Sequence, residues 1–434
     1  MYRHHNTVLA SLLALTALSV VTATYASPLT PAKASVSGEL TLFPQTGAQG
    51  QGRTTASLAA EGTWQGDWPD SSVQWTLTPF ARWASWNSQD TARSHADLRV
   101  AELTGSQGDW HWQAGVSQIY WGVTEGSHPV DVINQVDALE NPEGTVHLGQ
   151  PVLGAGWEKA SATNGSQLLD LYLLPGFRER AFASESGRLR LPWRVLTDSA
   201  QYESAKGRHH VDVAARYQWQ GEGLRVGLSA FQGTSREPQL LPQIDWSQIG
   251  PSGFAPGYAP YLLPYYPQIR QVGVDAQWTR GDWLWKAEAM NRQGFGAFAY
   301  QTLDAGVEMT QVGIFGSRMD LGWLAEGLYD SRGQQATQPF EHDLLIGWRL
   351  ALNDEASSEL LLAVIRDVKH PESYWRLQGS HRLTEHVSLS VEGRVFHSRT
   401  PQSALEVLQA PDHDYLLRAF SRDSQLRAVL SWFY

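Results

Sequence analysis

Segments of about ten residues with apolar side chains at every second position recur along this sequence. The clearest are residues 211–218, 271–278 and 387–395, where Val, Ala, Leu and Trp alternate with Asp, Arg, Gln, Glu and Ser. A period of two is typical of β-strands with one apolar and one polar face. We predict an all-β chain of 18 antiparallel strands, with 16 as the alternative. The predicted strands lie near 35–44, 54–64, 72–85, 95–105, 110–121, 151–160, 167–175, 209–218, 223–233, 268–279, 283–293, 305–315, 319–330, 340–352, 358–367, 373–382, 387–398 and 413–434.

The last nine residues, Leu426–Tyr434, form another segment of this kind. Leu426, Ala428, Leu430, Trp432 and Tyr434 share one face, so the sequence ends on an apolar strand and an aromatic residue. Such an end resembles the closing strand of outer-membrane β-barrels. The resemblance implies that the barrel-assembly machinery recognises this strand and is therefore a partner of the protein. The alternative is the final strand of a soluble β-sandwich.

The connections between the predicted strands alternate in length. Those after even-numbered strands are short, whereas three of those after odd-numbered strands are long: 122–150, 176–208 and 234–267. Short periplasmic turns opposite long extracellular loops are typical of outer-membrane barrels. We therefore expect a transmembrane up-and-down barrel in the cell outer membrane, among lipid and lipopolysaccharide. Both chain ends would lie on the periplasmic side. A homo-oligomer and a monomer both fit this pattern.

The first 26 residues predict a secretory signal peptide, which would be cleaved before Ser27. Basic residues precede an apolar run from Val8 to Val21, and small residues follow it. Residues 27–434 would then form one barrel domain. The sequence has no cysteine, which excludes disulfides, and no later run of 18 apolar residues, which argues against spanning helices. A net charge of −11 argues against nucleic-acid partners.

In this register many charged residues face the inside of the barrel. A polar interior of this kind suits a water-filled channel or a plugged cavity, and the alternative is that the charges pair across strands and only stiffen the wall. The predicted inward charges are Asp212, Arg216, Arg225, Asp275, Lys286, Glu288, Glu326, Arg349, Arg376, Arg382, Glu392, Arg394 and Arg427.

The first long connection, 122–150, is acidic and contains no Lys or Arg. Folded into the lumen, it would narrow the pore and face arginines on the opposite wall, so that the field across the pore sorts solutes by charge. The alternatives are a solvated external loop and a calcium site through Asp131 and Asp137. The predicted constriction residues are Glu125, Asp131, Asp137, Glu140 and Glu143.

The second long connection, 176–208, mixes arginines with apolar residues. Guanidinium groups suit carboxylate or phosphate groups on an amphipathic ligand, and equally the anionic sugars of lipopolysaccharide. A third interpretation, which we favour, is ion pairing with the acidic first loop. The predicted basic residues of the pore and mouth are Arg178, Arg180, Arg188, Arg190, Arg194, Arg216, Arg349 and Arg394.

The third long connection, 234–267, carries seven prolines and many aromatic and leucine residues. A loop this apolar should not stand free in water. It would form a lid over the mouth, present a hydrophobic capture site, or pack on neighbouring loops. Its predicted site residues are Trp246, Phe254, Tyr258, Tyr261, Tyr265 and Tyr266.

Three stretches resemble a signature of uncharacterised porin-like outer-membrane β-barrels of Gram-negative bacteria. They are Tyr120–Gln135, with the pattern Trp-Gly followed by Val-Asp-x-Ile-Asn, Phe177–Arg180 after Pro175, and Ser235–Pro238. The resemblance implies the barrel fold and the outer-membrane location. It implies no established substrate.

We expect a passive channel for a small solute, and the second and third loops favour an amphipathic or hydrophobic anion. A structural or export partner for an exopolymer or lipid is the alternative. A barrel hydrolase is a further one, for which Ser127 with His128, or His209 and His210 with Asp212, supply suitable residue types but no recognised motif. No cofactor and no metal are predicted.

Overall fold

The computed structural model describes residues 32–84, 91–161, 165–251, 253–409, 411 and 414–434. In these residues, 18 antiparallel strands pair in chain order and close into a barrel. The last strand closes on the first, with Ser35 opposite Phe433 and Leu42 opposite Leu426. The predicted fold and strand count are confirmed, whereas the predicted signal peptide lies outside the described residues. The barrel strands are β1 Lys33–Leu42, β2 Thr54–Asp67, β3 Val73–Trp83, β4 His95–Gln107, β5 Trp110–Ser117, β6 Gln150–Ser161, β7 Gly165–Pro175, β10 Val211–Gly221, β11 Leu224–Thr234, β16 Gln268–Arg280, β17 Trp283–Gln293, β18 Tyr300–Gln311, β19 Asp320–Asp330, β20 His342–Ala351, β21 Glu359–Asp367, β22 Ser373–Arg382, β23 Val387–His397 and β24 Gln425–Phe433.

Six short strands lie outside the barrel wall, at the end that carries the long loops. They are β8 Arg194–Val195, β9 Gln201–Tyr202, β12 Gln239–Gln243, β13 Ile249–Gly250, β14 Gly253–Phe254 and β15 Tyr261–Tyr266. β12 pairs with β15, and β8 and β9 pair with β15 in parallel. The third loop therefore packs on the second in one small sheet, which is the last of the three arrangements weighed from the sequence.

Side chains alternate between the two faces of the barrel wall, as the period of two predicts. In β10, Val211 and Val213 are 48% and 44% exposed on the outer face, whereas the intervening Asp212 is fully buried inside. Tryptophans gather near the short turns, where Trp278 lies opposite Trp285 and Trp323 opposite Trp348. An apolar outer face with aromatic residues at its border is typical of membrane barrels.

The short turns reverse the chain within a few residues. Between β10 and β11, Glu222 and Gly223 both have positive φ, 49° and 77°. Positive φ at both central positions defines the tight hairpin turn whose twist matches the strands. No helix of the described residues is both long enough and apolar enough to span a membrane.

The predicted last strand, 413–434, is wrong in its first half, because β24 begins only at Gln425. A 3₁₀ helix, Leu416–Phe420, lies before it, with Leu417 buried. Residues 398–424 thus form a fourth long loop, which also contains the short helix Ala404–Gln409. The predicted strand 110–121 also ends early, at Ser117, because the backbone N–H of Ile119 bonds to the side chain of Asn134 instead of a neighbouring strand.

Four loops are named below by their residues. The inner loop is 118–149, the arginine loop is 176–210, the proline–tyrosine loop is 235–267, and the last loop is 398–424.

Candidate functional site

The inner loop folds into the lumen and is fastened there by carboxylates of the wall. Glu288 accepts hydrogen bonds from Thr124, at 2.9 Å from its backbone N and 2.8 Å from its Oγ1. Glu326 accepts from the backbone N of Gly126 at 2.8 Å, and Asp304 from that of Ser127 at 2.9 Å. Because unpaired backbone N–H groups are costly inside a protein, these carboxylates hold the loop in one place.

A close approach at Gly126 makes this fastening possible. A Cβ added at Gly126 would lie 2.9 Å from Leu328, closer than carbon atoms normally come. Apolar side chains of the same loop, Val130 and Ile133, are fully buried against the wall near Phe231 and Ile269. Hydrophobic packing and hydrogen bonds thus both hold the inner loop against the barrel wall.

Each of the five predicted constriction acids has an arginine or histidine partner. The pairs are Glu125 with Arg349 at 3.0 Å, Asp131 with His147 at 2.7 Å, Asp137 with Arg99 at 2.7 Å, Glu140 with Arg82 at 2.6 Å, and Glu143 with Arg394 at 2.9 Å and with Arg376 at 3.1 Å. The acids therefore lie against their partners and do not face them across an open pore. Asp131 and Asp137 have different partners, which argues against the calcium site weighed above.

The pKa values of two inner-loop acids follow from these pairs. Burial alone would raise the pKa of Asp137, but the hydrogen bond with His95 and the charge of Arg99 hold it at about 2. Burial would likewise raise the pKa of Glu143, yet the charges of Arg394 and Arg376 hold it below its ordinary value. Both acids are charged at neutral pH, so both ion pairs are complete there.

Three arginines of the arginine loop pair with carboxylates other than the predicted ones. Arg178 pairs with Asp97 in β4, Arg194 with the exposed Glu185 of its own loop at 3.1 Å, and Arg188 with Asp423 of the last loop at 2.6 Å. The favoured pairing with the acidic inner loop is therefore wrong for these three. Arg180 does contact the inner loop, but through the amide oxygen of Gln135 at 3.2 Å.

Arg188 connects three loops at the mouth. Besides Asp423, its Nη1 donates to the carbonyl oxygens of Gln45 at 3.0 Å and Gly52 at 2.9 Å, and its guanidinium lies 3.9 Å from the ring centroid of Phe43. The sequence could not indicate this role, because the partner Asp423 lies in a stretch predicted as strand.

The aromatic residues predicted in the proline–tyrosine loop occupy different environments. Tyr266 is fully buried, with its ring centroid 4.9 Å from that of Phe177. Trp246 is 67% exposed at the far tip of the loop. The rings of Phe254 and Tyr258 contact each other edge to face at 5.9 Å, and Tyr261 and Tyr265 are half-buried in β15.

A cavity of about 1070 Å³ lies under the mouth loops and above the inner loop. Arginines and apolar side chains line it together, and eight of the predicted site residues are among them: Asp131, Glu140, Glu143, Arg180, Arg188, Arg190, Arg194 and Arg394. Arg427, predicted only as an inward-facing charge, also lines the cavity, and the sequence reasoning did not assign Arg93, Arg236, Arg292 or Arg332 to the site. The apolar lining includes Phe43, Phe182, Leu191, Trp193, Leu240, Met290, Phe340, Phe396 and Phe420.

A second cavity of about 40 Å³ shares Gly126, His128 and Glu143 with the large one. The two cavities also share Phe340 and Tyr374, whereas Glu125 and Arg376 line only the second. A volume of this size holds about one water molecule. The two cavities thus meet beside Glu143, inside the barrel.

The residues weighed for catalysis are used in other contacts. The Ser127 hydroxyl donates to Asp304 at 3.0 Å, and His210 contacts Asp212 at 2.7 Å while Arg236 binds the same carboxylate. A Ser–His hydrogen bond of 2.7 Å joins Ser358 and His381, but there the acid Asp354 bonds to the serine and not to the imidazole. That order differs from a catalytic triad, in which the acid orients the histidine.

One group of side chains has the composition of a metal site. The ligand atoms of Glu341, Asp367 and His370 lie within 4.8 Å of one another near the loop end of the barrel. His370 Nδ1 already contacts Asp367 at 3.1 Å. Burial raises the pKa of Glu341, and the charge of Asp367 raises it further.

Comparisons with known proteins give a likeness in fold. No protein-family profile matches the chain, and neither does any curated protein sequence. Among solved structures, the chain is similar to Wzi of Escherichia coli, described as an outer-membrane protein involved in group 1 capsule assembly and as a carbohydrate-binding β-barrel. The TM-score is 0.51 at 10% identity, over 92% of this chain and 83% of that one. Mutants of the Rh. blastica porin give a TM-score of 0.41 at 9% identity, over 93% of this chain and 99% of theirs. The fold is that of outer-membrane β-barrels.

Proposed function

We propose that this protein is an outer-membrane channel for a small solute that carries a negative charge, and that the large cavity is its entry site. The observation that supports this proposal is the lining of the cavity, where ten arginines outnumber seven carboxylates and lie among apolar side chains. Guanidinium groups bind carboxylates and phosphates through paired hydrogen bonds, and the apolar side chains would cover the rest of an amphipathic solute. Export by the predicted signal peptide and a location among lipopolysaccharide belong to the same proposal. We propose no catalytic role.

In this proposal the inner loop is the constriction. A solute would pass from the large cavity beside Glu143 into the second cavity, which has room for about one water molecule. Passage therefore requires the segment around Glu143 to move. The ion pairs of Glu143 with Arg376 and Arg394 would set how often it does so.

The test is electrical. The refolded barrel is placed in a planar bilayer, and single-channel currents are recorded in KCl, with the cation-to-anion ratio taken from the reversal potential. Benzoate is then added on the loop side, with benzyl alcohol as an uncharged control of the same shape. We expect open steps that benzoate blocks and benzyl alcohol does not. A folded barrel that conducts equally with both additives would contradict an anion-selective entry site.

A closed binding barrel is the second candidate, and the fastening of the inner loop favours it. Wall carboxylates hold this loop on one side, and Arg82, Arg99 and Arg394 hold it on others. Such a barrel would bind a surface polymer or lipid at its mouth and serve as a structural or export partner; Wzi, which is similar in fold, is described as carbohydrate-binding. A folded barrel that binds an anion but gives no current would support this candidate over the channel.

A further inference from the structure

Four arginines that line the large cavity contact either Tyr300 or Gln135. The guanidinium of Arg332 lies 3.9 Å from the centroid of the Tyr300 ring, and that of Arg292 lies 5.7 Å from it. Arg180 and Arg236 both contact Gln135, whose amide oxygen accepts from Arg180 and whose amide nitrogen donates to the carbonyl of Arg236. All four arginines line the cavity.

These arginines outnumber their carboxylate partners. Arg332 pairs with Asp330 at 2.7 Å, Arg292 with Glu237 at 3.4 Å, and Arg236 with Asp212. Arg180 forms no ion pair with a carboxylate among the described residues. Burial lowers the pKa of Arg180, and the charge of Arg292 lowers it further, although Glu237 raises it. The group thus carries a positive charge that the described side chains do not neutralise.

A second and independent observation concerns polar atoms without partners. The Nη2 atom of Arg236, the hydroxyl of Tyr300 and the hydroxyl of Thr302 are buried and have no hydrogen-bond partner among the described residues. Arg236 is 5% exposed and Tyr300 is 3% exposed, and both line the cavity. Buried donors of this kind normally have a partner, so three of them on residues that line one cavity indicate an acceptor that binds in that cavity.

We propose that Arg180, Arg236 and Arg292, with the Tyr300 hydroxyl, bind the anionic head group of the solute, a carboxylate or a phosphate. This inference rests on the proposed function, since it assumes that the large cavity admits an anionic solute. Oxygen atoms of the head group would accept from the free Nη2 of Arg236 and from Tyr300. Its negative charge would neutralise Arg180. The apolar part of the solute would lie towards Met290 and Leu240.

The experiment is titration calorimetry on the folded barrel in a nonionic detergent. The probes are benzoate and phenyl phosphate, with benzyl alcohol as the neutral control, so that the two head groups are compared on one ring. The variants are Arg180→Gln, which removes the unneutralised charge, and Tyr300→Phe, which removes only the free hydroxyl. The matched control is Arg208→Gln, which removes the same charge from an exposed arginine of the arginine loop that does not line the cavity.

We expect Arg180→Gln to weaken binding of the preferred anion about tenfold or more, as for a lost charge-assisted hydrogen bond, and Tyr300→Phe to weaken it about threefold. Arg208→Gln should leave it within about twofold, because an exposed charge outside the cavity is screened by solvent and salt. Should Arg180→Gln fail to fold, Tyr300→Phe decides the question alone.

The outcomes separate this inference from the proposed function. If the wild-type barrel binds neither anion, the entry site itself is refuted. If it binds an anion while Arg180→Gln and Tyr300→Phe bind equally well, the cavity remains an entry site but this head-group site is wrong, and the free donors bind water only. Tighter binding of benzyl alcohol than of either anion would overturn both.

Discussion

A substitution of Glu143 is the most direct test of the contacts that hold the inner loop. Its carboxylate contacts Arg394 Nε at 2.9 Å and Arg376 Nη1 at 3.1 Å, and it accepts a hydrogen bond from the Tyr374 hydroxyl. Glu143→Gln keeps the size of the side chain and removes its charge. We expect the segment around residue 143 to leave the wall more often, while the barrel itself stays folded.

The magnitude follows from the contacts that are lost. A hydrogen bond to a charged group contributes about 1.5–3 kcal/mol, and breaking a buried ion pair by removing one partner costs about 3–5 kcal/mol. Arg394 keeps Glu392 at 2.7 Å, so we take the lower end, about 3 kcal/mol. At about 1.4 kcal/mol per factor of ten, the undocked population rises roughly a hundredfold. The pairs of Glu140 with Arg82 and Asp137 with Arg99 remain, so the change is local.

The assay combines hydrogen exchange of residues 138–147 with single-channel recording. We expect faster exchange in this segment, larger or more frequent current steps, and a reversal potential shifted towards anions, because Arg376 and Arg394 would face the route with less neutralisation. The matched control is Asp245→Asn, which removes one charge from an exposed aspartate that bonds to Ser247. If exchange and current in Glu143→Gln equal those of this control, Glu143 does not hold the constriction and the reasoning fails.

Three further predictions follow from the same contacts. Since Asp137 has its pKa lowered from 3.8 to about 2, its ion pair with Arg99 should be complete above about pH 4 and be lost as the pH falls through 2; pepsin cleavage of the inner loop that is already rapid at pH 4 would contradict this. Arg188→Gln leaves the buried Asp423 without its guanidinium, a local cost of about 3–5 kcal/mol, so trypsin should cut sooner after Arg422, and an unchanged digestion rate would refute the connecting role of Arg188. Deleting residues 240–265 should leave a barrel that still migrates as folded in unheated gels, while selective uptake of benzoate over benzyl alcohol into liposomes is abolished; selective uptake that persists would remove this loop from the mechanism.

The barrel could be predicted from the sequence because its signals are local. Alternation along a strand depends only on neighbouring residues, and the short turns are marked by residues such as Gly223. The same signal failed at 413–424, where the apolar residues of Leu416–Phe420 belong to a 3₁₀ helix. There Leu417 is buried under the last loop, and its backbone N–H bonds to Glu372, 45 residues earlier. The spacing of apolar residues in the local sequence cannot indicate such a contact.

The partners of the charged side chains could not be predicted, because they come from distant parts of the chain. Glu143 and Arg394 are 251 residues apart, and Arg188 and Asp423 are 235 apart. Composition identified the inner loop as acidic and the arginine loop as basic, and it suggested that the two loops pair with each other. Four of the five acids instead pair with arginines of the wall, and Asp131 pairs with His147 of its own loop. A short ion pair in a buried site is stronger than one between solvated loops.

Charged side chains with a partner and charged side chains without one have different roles in the proposed function. The inner-loop acids were prominent in the sequence, yet each has an arginine or histidine partner, so we propose that they hold the inner loop in place. Arg236 was noted in the sequence only within the stretch Ser235–Pro238, and its Nη2 atom has no partner among the described residues. A solute gains most from the charges that the fold has left without partners, since those need not be separated from another group first. For this reason we propose recognition by Arg180, Arg236 and Arg292 with Tyr300, and gating by Glu143.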